Sequence, residues 1–419
     1  MTQAPAMPQA RRTVSPEPSI RSLSDLPPGA DVVVIGGGVV GAATAFHAAR
    51  AGLRPVLLER RPALCTLTTA VAAGGFRLQQ DDEEDLALVR ESVELFLNFA
   101  EVTGQREHDP AVQQPGYLWV TSTDEGAERQ RRLVERQRTW GLEDVDLLTG
   151  GEARVAFPFL GPDVVQARFR AGDGLIDPKA LTLGLAAGAC SAGASVVTGC
   201  GVSAIRAGDA RVEVQTNLGR LDADAVVIAA GPFSGLVAAT AGVELPVTTV
   251  RRQKLVMPEV PEVPPDAPMT IDDDSGSHWR PVYSGAALLF TDPSTPPSPP
   301  AEDVPLDHGF AFQLLDPASP VALARFTPFW RQVWQRGAAH WFLQAGQYTM
   351  TPDRRPLIGP TDVPGLFVNT GYSGHGVMNS PAGARRLVDL ITGKGSPEVG
   401  ANPFRLDRSF DPLPEAGLL

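Results

Sequence analysis

The run Gly36-Gly37-Gly38-Val39-Val40-Gly41 and the acid Glu59 carry the strongest chemical signal in this 419-residue chain. Glycines at the first, third and sixth positions allow a tight turn, a close backbone approach to a pyrophosphate, and close packing of a helix on a strand. A helix opening there offers free N–H groups and the positive end of its dipole to phosphate. Glu59 and its neighbour Arg60 follow at the distance where a second strand ends. A carboxylate in that place accepts hydrogen bonds from both hydroxyls of an adenosine ribose and disfavours a 2′-phosphate. The chemistry indicated is dinucleotide binding, with NADP disfavoured and NAD and FAD both open.

Those contacts need a strand before the turn and a helix after it. Asp31-Val32-Val33-Val34-Ile35 is a β-branched apolar run that stops at glycine and reads as a buried strand. Val39 to Arg50 is Ala-rich and reads as a helix ended by Gly52, and Pro55 to Leu58 gives a second buried strand. Strand, helix and strand in so short a span make a right-handed βαβ unit and a parallel sheet. From Glu83 to Val102 the apolar positions Leu86, Val89, Val93 and Phe96/Leu97 have helical spacing behind an acidic start, which predicts one long amphipathic helix. Further on, Pro178 to Ala192 reads as helix, and Val212–Gln215, Ala225–Ala229 and Leu366–Asn369 as strands.

Two later segments have the composition of turns at a nucleotide site. One is Ala225-Val226-Val227-Ile228-Ala229-Ala230-Gly231-Pro232-Phe233-Ser234, a strand ending in small residues. The other is Thr351-Pro352-Asp353-Arg354-Arg355-Pro356-Leu357-Ile358-Gly359, followed by Gly371-Tyr372-Ser373-Gly374-His375-Gly376 at the start of a helix. Pro258 to Pro268 and Pro293 to Pro300 each hold five prolines and read as surface loops or excursions.

Composition narrows the remaining classes. The formal net charge is −12, which leaves no chain-wide basic footprint for nucleic acid or an anionic membrane. Three cysteines, Cys65, Cys190 and Cys200, with no C-x-x-C, argue against a disulfide framework or a structural zinc, and a cytoplasmic setting is the simplest expectation. No uncharged apolar run has the length of a membrane span. Arg11-Arg12 is followed by Thr13-Val14-Ser15-Pro16-Glu17-Pro18 rather than an apolar stretch, so residues 1–29 read as a disordered tail and not a signal peptide. In Asp272-Asp273-Asp274-Ser275-Gly276-Ser277-His278, a solvated acidic loop is favoured over a metal cluster. Trp330, Trp334 and Trp341 read as core or interface residues.

Taken together and in this order, the N-terminal fingerprint, the Ala-Ala-Gly segment and the C-terminal Thr-Pro-Asp…Gly-Tyr-Ser-Gly-His-Gly block resemble the D-amino-acid-oxidase-like flavoprotein superfamily, most closely its sarcosine oxidase/dehydrogenase branch. The resemblance covers roughly residues 30 to 394. It implies FAD bound in extended form, with Gly36, Gly38, Val39, Val40, Gly41, Glu59 and Arg60 at the adenosine and pyrophosphate. Val202 would meet the adenine, and Ala73, Gly74, Gly75, Ala230 and Gly231 would line the cofactor. Gly374, His375, Gly376, Val377 and Met378 would present backbone N–H groups and a dipole end to the flavin N1/C2=O edge, stabilising the anion of the reduced ring. Arg77, just after Ala72-Ala73-Gly74-Gly75-Phe76, matches an arginine at the flavin's face. It and His375 are the expected catalytic residues, although the neighbours of His375 suggest a mainly backbone role.

The chain departs from the family pattern at informative places. Where relatives tether flavin through cysteine or histidine, this sequence has Gly346 and Val71, so non-covalent FAD is expected. Where relatives clamp a substrate carboxylate with arginine and lysine, it has Gln80 and Met378. A buried carboxylate needs a cation, and Arg251, Arg252, Lys254 and Arg280 are candidates; Arg252 and Tyr348 join Gln80 and Met378 as expected substrate residues. The lysine that assists oxygen reduction in monomeric oxidases has no counterpart at Leu288–Phe290, which favours a dehydrogenase.

The fold expected is α/β and two-domain: a Rossmann-like FAD-binding domain from 30–85, 152–243 and 341–395, a mixed-sheet substrate domain from 86–151 and 244–340, and a C-terminal tail from 396–419. The activity the resemblance implies is oxidation of a C–N bond in an amine or amino-acid-like substrate, with hydride passing from the α-carbon to flavin N5 and an imine formed. Oxygen or a redox partner would take the electrons. The alternatives are the catalytic subunit of a hetero-oligomeric amine dehydrogenase, with a partner subunit, and a non-catalytic flavin-binding assembly factor.

Overall fold

Strand β1 (Ala30–Ile35) lies in the middle of a parallel sheet with Val32, Val33 and Val34 all fully buried, as an uninterrupted β-branched run requires. Helix α1 (Val39–Arg50) crosses over to β2 (Pro55–Glu59), which pairs with β1 in parallel. The computed structural model describes residues 19–208, 211–337, 340–394 and 402–411. Within them this first sheet runs Leu357–Pro360, Leu366–Thr370, Gly219–Ile228, β1, β2, Ser195–Thr198, parallel except at its first pair. The strands Val202–Ala207 and Val212–Thr216 form an antiparallel extension on the long strand Gly219–Ile228.

A second sheet of eight strands stands beside it, in the order Phe342–Met350, Thr248–Met257, Gly285–Phe290, Ser277–Val282, Met269–Asp272, Tyr117–Thr121, Gln166–Arg170, Asp146–Thr149. Only Met269–Asp272 and Tyr117–Thr121 pair in parallel, so the sheet is mixed, as expected. One of its faces packs Leu118, Leu255, Trp279 and Leu288 against Phe310, Phe326 and Trp330. Trp330 is thus core, whereas Trp334 and Trp341 are exposed. The two-layer architecture matches the sequence reading, and no helix among the described residues is long and apolar enough to cross a membrane.

The boundaries differ from those drawn on the sequence. The predicted long helix is α2 (Glu83–Leu97), capped by the Asp82 carboxylate on the N–H groups of Glu84 and Asp85, and it breaks at Asn98 before a short helix Phe99–Thr103. Leu86, Val89, Val93 and Phe96 enter the core shared by α1 and the helices Pro178–Ser191 and Gly376–Ile391, so α2 belongs to the first layer and not to the second. Ser92 accepts the Ala382 N–H at 3.1 Å and Arg385 pairs with Glu91, which fixes that packing. Conversely, Gln166–Arg170 and Phe342–Met350 are strands of the second sheet.

Both expected tails are partly built into the fold. Residues 1–18 lie outside the described residues, but Leu23 donates its N–H to the Val196 carbonyl at 2.8 Å and extends the first sheet. Residues 395–401 and 412–419 also lie outside them, whereas Phe404 is fully buried and its carbonyl accepts the Ile358 N–H. Arg408 makes a bidentate pair with Asp353 at 2.7 and 2.9 Å, both side chains almost wholly buried. Burial alone would raise the Asp353 carboxyl's pKa, but the Arg408 guanidinium, together with the Arg355 N–H and the Thr351 hydroxyl, outweighs it and holds the pKa below the usual carboxylate range.

Breaking a buried pair from one side leaves an uncompensated charge and costs about 3–5 kcal/mol. Arg408→Met is therefore expected to lower stability to urea by that amount at pH 7. Because the depressed Asp353 pKa contributes stability above the ordinary carboxylate range and loses it as pH falls through the folded-state value, the gap between wild type and variant narrows at pH 3. Equal midpoints at pH 7 would show that the C-terminal segment is dispensable.

Candidate active site

Two helix starts converge on one cavity of about 530 Å³. At the first, a Cβ on Gly41 would sit 1.8 Å from the Gly36 carbonyl oxygen, so only glycine lets α1 approach the turn this closely. Gly38 caps α1 with no side-chain hydrogen bond, and the Val39 N–H reaches only Thr69 Oγ1 at 3.4 Å. At the second, His375 precedes Gly376–Ile391, again with no side-chain cap. Gly374 has φ +101°, and a Cβ there would fall 2.5 Å from the Tyr348 ring, so the turn stays narrow and the ring packs flat against it. Uncapped N–H groups and positive dipole ends are what an anion recognises.

The expected cofactor residues fall into two groups. Val39, Val40, Ala73, Gly74, Gly75 and Gly231 line the cavity, as do Gly374, His375, Gly376, Val377 and Met378. Gly36, Gly38, Gly41, Glu59, Arg60, Val202 and Ala230 lie outside that lining, at the fingerprint end of the sheet. Glu59 accepts the N–H groups of Gly37 at 2.7 Å and Arg61 at 2.8 Å, one on each oxygen, which orients the carboxylate and leaves lone pairs for a ligand. The Glu59 carbonyl accepts the Cys200 N–H, which brings the start of Val202–Ala207 to the end of β2. Arg60 stacks 3.8 Å above the Phe233 ring and pairs with Glu302 at 2.9 Å, while Arg61 takes the other Glu302 oxygen.

That Glu302 contact corrects the reading of the second Pro-rich stretch as an excursion. Pro293, Thr295 and Pro297 line the cavity, Thr249 and Gln347 hold Ser298, and Glu302 ties the end of the strap to the first layer. The stretch is a cavity wall.

Of the expected catalytic and substrate residues, Arg77, His375, Arg252, Tyr348 and Met378 line the cavity and Gln80 does not. Gln80 sits behind Arg77, accepting from the guanidinium at 3.1 Å and donating to the Arg77 carbonyl at 2.6 Å; its amide also reaches the Met378 sulfur at 3.6 Å. Arg77 further donates to the Gln79 carbonyl and approaches His375 Nε2 at 3.4 Å. Since a guanidinium can only donate, Nε2 is the acceptor. Burial first, then Arg77 and Arg354, push the His375 pKa down to about 3, so the ring stays neutral.

The candidate cations separate clearly. Arg251 pairs with Asp307 at 3.5 Å, and Arg280 donates to its neighbour's carbonyl at 3.0 Å. Lys254, the cross-strand neighbour of Leu289, gives its ammonium to the Ala72 carbonyl at 3.2 Å, behind the loop that lines the cavity. Arg252 alone of the four reaches the cavity.

Sequence reasoning missed several lining residues, His278 and Arg354 among them. His278, assigned there to a solvated acidic loop, is buried on Ser277–Val282 and faces the cavity. Its companions are satisfied within the protein: Asp272 accepts from Ser275, and Asp274 accepts from Thr121, Ser122, Thr123 and Arg129. The strand alternation around His278 was the signal available. Arg354, within Thr-Pro-Asp-Arg-Arg, also lines the cavity, from an unusual φ of +62°.

A parallel sheet whose fingerprint turn and C-terminal glycine block open on one cavity, roofed by a mixed sheet, defines a two-layer dinucleotide-dependent oxidoreductase. The model of the FAD dependent oxidoreductase (DAO) family matches residues 31–390, and the chain belongs to that family. It is 30% identical to glycine oxidase of Geobacillus kaustophilus over 90% of this chain and 97% of that protein. It is 27% identical to human mitochondrial sarcosine dehydrogenase over 91% of this chain, but spans only 42% of that protein's length. Among solved structures, L-proline dehydrogenase from P. horikoshii superposes with TM-score 0.77 at 25% identity, covering 89% of this chain and 96% of that one.

The cofactor is FAD, and the residues fit it. Two uncapped helix starts face one cavity, and among the described residues no Asp or Glu lines it, whereas Arg77, Arg252 and Arg354 do. That charge balance suits a pyrophosphate and an electron-rich reduced ring.

The Lys254 pKa is pushed down to about 8, first by burial and then by Arg280. A lysine whose folded pKa lies below its unfolded value costs stability while charged, and that cost disappears as pH rises from about 8 to the unfolded value. Lys254→Met is thus expected to remove a rise in wild-type stability on the order of 3 kcal/mol between pH 7 and pH 10.5. Urea unfolding of both proteins at the two pH values checks it, and parallel pH dependences would contradict the assignment.

Proposed function

We propose that this enzyme oxidises the C–N bond of a small amino acid or N-alkyl amino acid, with Arg252 receiving the substrate carboxylate. The observation that carries this reading is the state of Arg252. Its guanidinium faces the cavity, its Nε is sealed from water without a hydrogen-bond partner, and its Nη1 donates only to the carbonyls of Arg251 and Asp292. Among the described residues no carboxylate lies within ion-pair distance of it. Burial lowers its pKa, and an opposing ligand charge would relieve that cost. The Tyr348 ring 5.9 Å below the guanidinium steadies it.

The names of relatives support the same substrate class, since they include glycine oxidase, sarcosine dehydrogenase and dimethylglycine dehydrogenase. FAD, when bound, supplies an acceptor for the hydride that leaves the carbon next to nitrogen. The chain's own contribution is to orient and to exclude water. Arg252 fixes the carboxylate, Gly376, Val377 and Met378 present their N–H groups to the ring edge while the His375 N–H stays on the Tyr372 carbonyl, and Arg77 is held rigid by Gln80 and His375. FAD held without a covalent tether is part of the proposal. Gly346 and Val71 adjoin, a Cβ on Gly346 falling 2.9 Å from the Val71 side chain, and no cysteine lines the cavity.

The test is anaerobic mixing of the FAD-loaded protein with glycine, sarcosine, N,N-dimethylglycine, proline and the amines that lack their carboxylates. Bleaching of the visible flavin band by at least one of the primary or secondary amino acids and by none of the amines is expected, and its return in air, fast or slow, separates oxidase from dehydrogenase. Arg252→Met should raise the KM of the reactive carboxylate about 100-fold while retaining FAD, since an arginine–carboxylate pair is a charge-assisted, bidentate contact. Bleaching by amines as well as by acids, or an unchanged KM, would reject the assignment of Arg252.

A further inference from the structure

We infer that His278 is the hydrogen-bond acceptor for the substrate's amine N–H, and so sets which amines the cavity takes. This rests on the reading above, in which the ligand is an amino acid held at Arg252. A carboxylate is the usual partner of a bound amine, and among the described residues none lines this cavity. The amide oxygens on its wall are engaged: Gln253 Oε1 accepts the Asp307 N–H at 2.6 Å, Gln347 Oε1 the Ala301 N–H at 2.8 Å, and Asn369 Oδ1 the Tyr372 hydroxyl at 2.5 Å. His375 Nε2 already faces Arg77.

His278 is different. Its Nδ1 lies 2.9 Å from the Gly276 carbonyl, and a carbonyl can only accept, so the proton is on Nδ1 and the Nε2 lone pair is free. Nε2 has no partner among the described residues. Burial first, opposed by the Gly276 bond and reinforced by Arg77, pushes the pKa down to about 4, which keeps that lone pair available at neutral pH. An imidazole nitrogen is also a stronger base than the phenol oxygens of Tyr117 and Tyr348 nearby.

The sheet places His278 and Arg252 to work on one molecule. His278 pairs across to Leu289, which pairs with Lys254, and Arg252 lies two residues along that last strand. Two strand spacings and two residue rises put the Cα atoms roughly 12 Å apart. An extended arginine, an imidazole and a small amino acid together fill that gap. The carboxylate then points at Arg252, and the amine directs an N–H to Nε2. Its lone pair stays free to follow the departing hydride. A primary or secondary amine can make this contact in its neutral, reactive form and a tertiary amine cannot.

The experiment compares pyrrole-2-carboxylate and furan-2-carboxylate, ring acids of nearly equal shape that differ in an N–H against an oxygen, titrated into the FAD-loaded protein and followed by the flavin spectrum. Wild type is expected to bind the pyrrole acid about tenfold more tightly, the worth of one buried hydrogen bond. His278→Leu should erase that preference, and His278→Gln, which restores an acceptor, should recover it. Equal binding of the two acids by wild type, or a preference that survives in His278→Leu with FAD still bound, would overturn the assignment of His278 while leaving Arg252 in place. Binding of neither acid would instead remove the carboxylate reading and this inference with it. If His278→Leu fails to hold FAD, wild type and His278→Gln still decide: a preference in the first that is lost in the second tells against a simple acceptor.

Discussion

The site depends on one geometric constraint: two helices must deliver bare N-termini to the same cavity without letting protein side chains cap them. At α1 the constraint is met by contact between Gly41 and the Gly36 carbonyl, which leaves no room for a Cβ. At Gly376–Ile391 it is met by the sharp turn at Gly374 against Tyr348. Both helices share one core with α2 and Pro178–Ser191, so their directions are fixed relative to each other by buried apolar packing rather than by the loops at their ends. The N–H groups therefore keep their aim, as a site for an anionic cofactor requires.

The electrostatic design follows. Among the described residues three arginines and no carboxylate line the cavity, and its two histidines are held neutral by burial, by Arg77 and, at His375, also by Arg354. Two of these guanidiniums are braced separately, Arg77 by Gln79 and Gln80 and Arg252 by backbone carbonyls and the Tyr348 ring. Bracing with neutral acceptors preserves the positive potential that an ion pair would quench.

What the sequence made legible was local. The fingerprint, its flanking strands and the Gly-Tyr-Ser-Gly-His-Gly turn each encode their geometry within a few residues, and the fold class follows from them. Long-range consequences were less visible. The placement of α2 with the first layer depends on Ser92 meeting Ala382, nearly three hundred positions away. The Pro293–Pro300 stretch looks like an excursion until Glu302 is seen on Arg60 and Arg61. His278 was hidden by its neighbours, because three adjacent aspartates suggest solvent, whereas Asp272 and Asp274 are consumed by threonine, serine and arginine partners inside the fold.

Gln80 shows how one substitution reorganises a site. In its relatives' pattern that position carries a cation at the ligand; here a neutral amide lies behind Arg77 and against Met378, and neither it nor the methionine can hold a carboxylate. An arginine added at Gln80 would crowd the buried Arg77 guanidinium with like charge. With a neutral amide at this position, Arg77 and Arg354 are the cations that act on His375. On the proposed reading the carboxylate is met by Arg252 on Thr248–Met257, which lines the cavity. On that same proposed reading, a carboxylate at Arg252 leaves the amine toward the middle of the mixed sheet, where His278 stands.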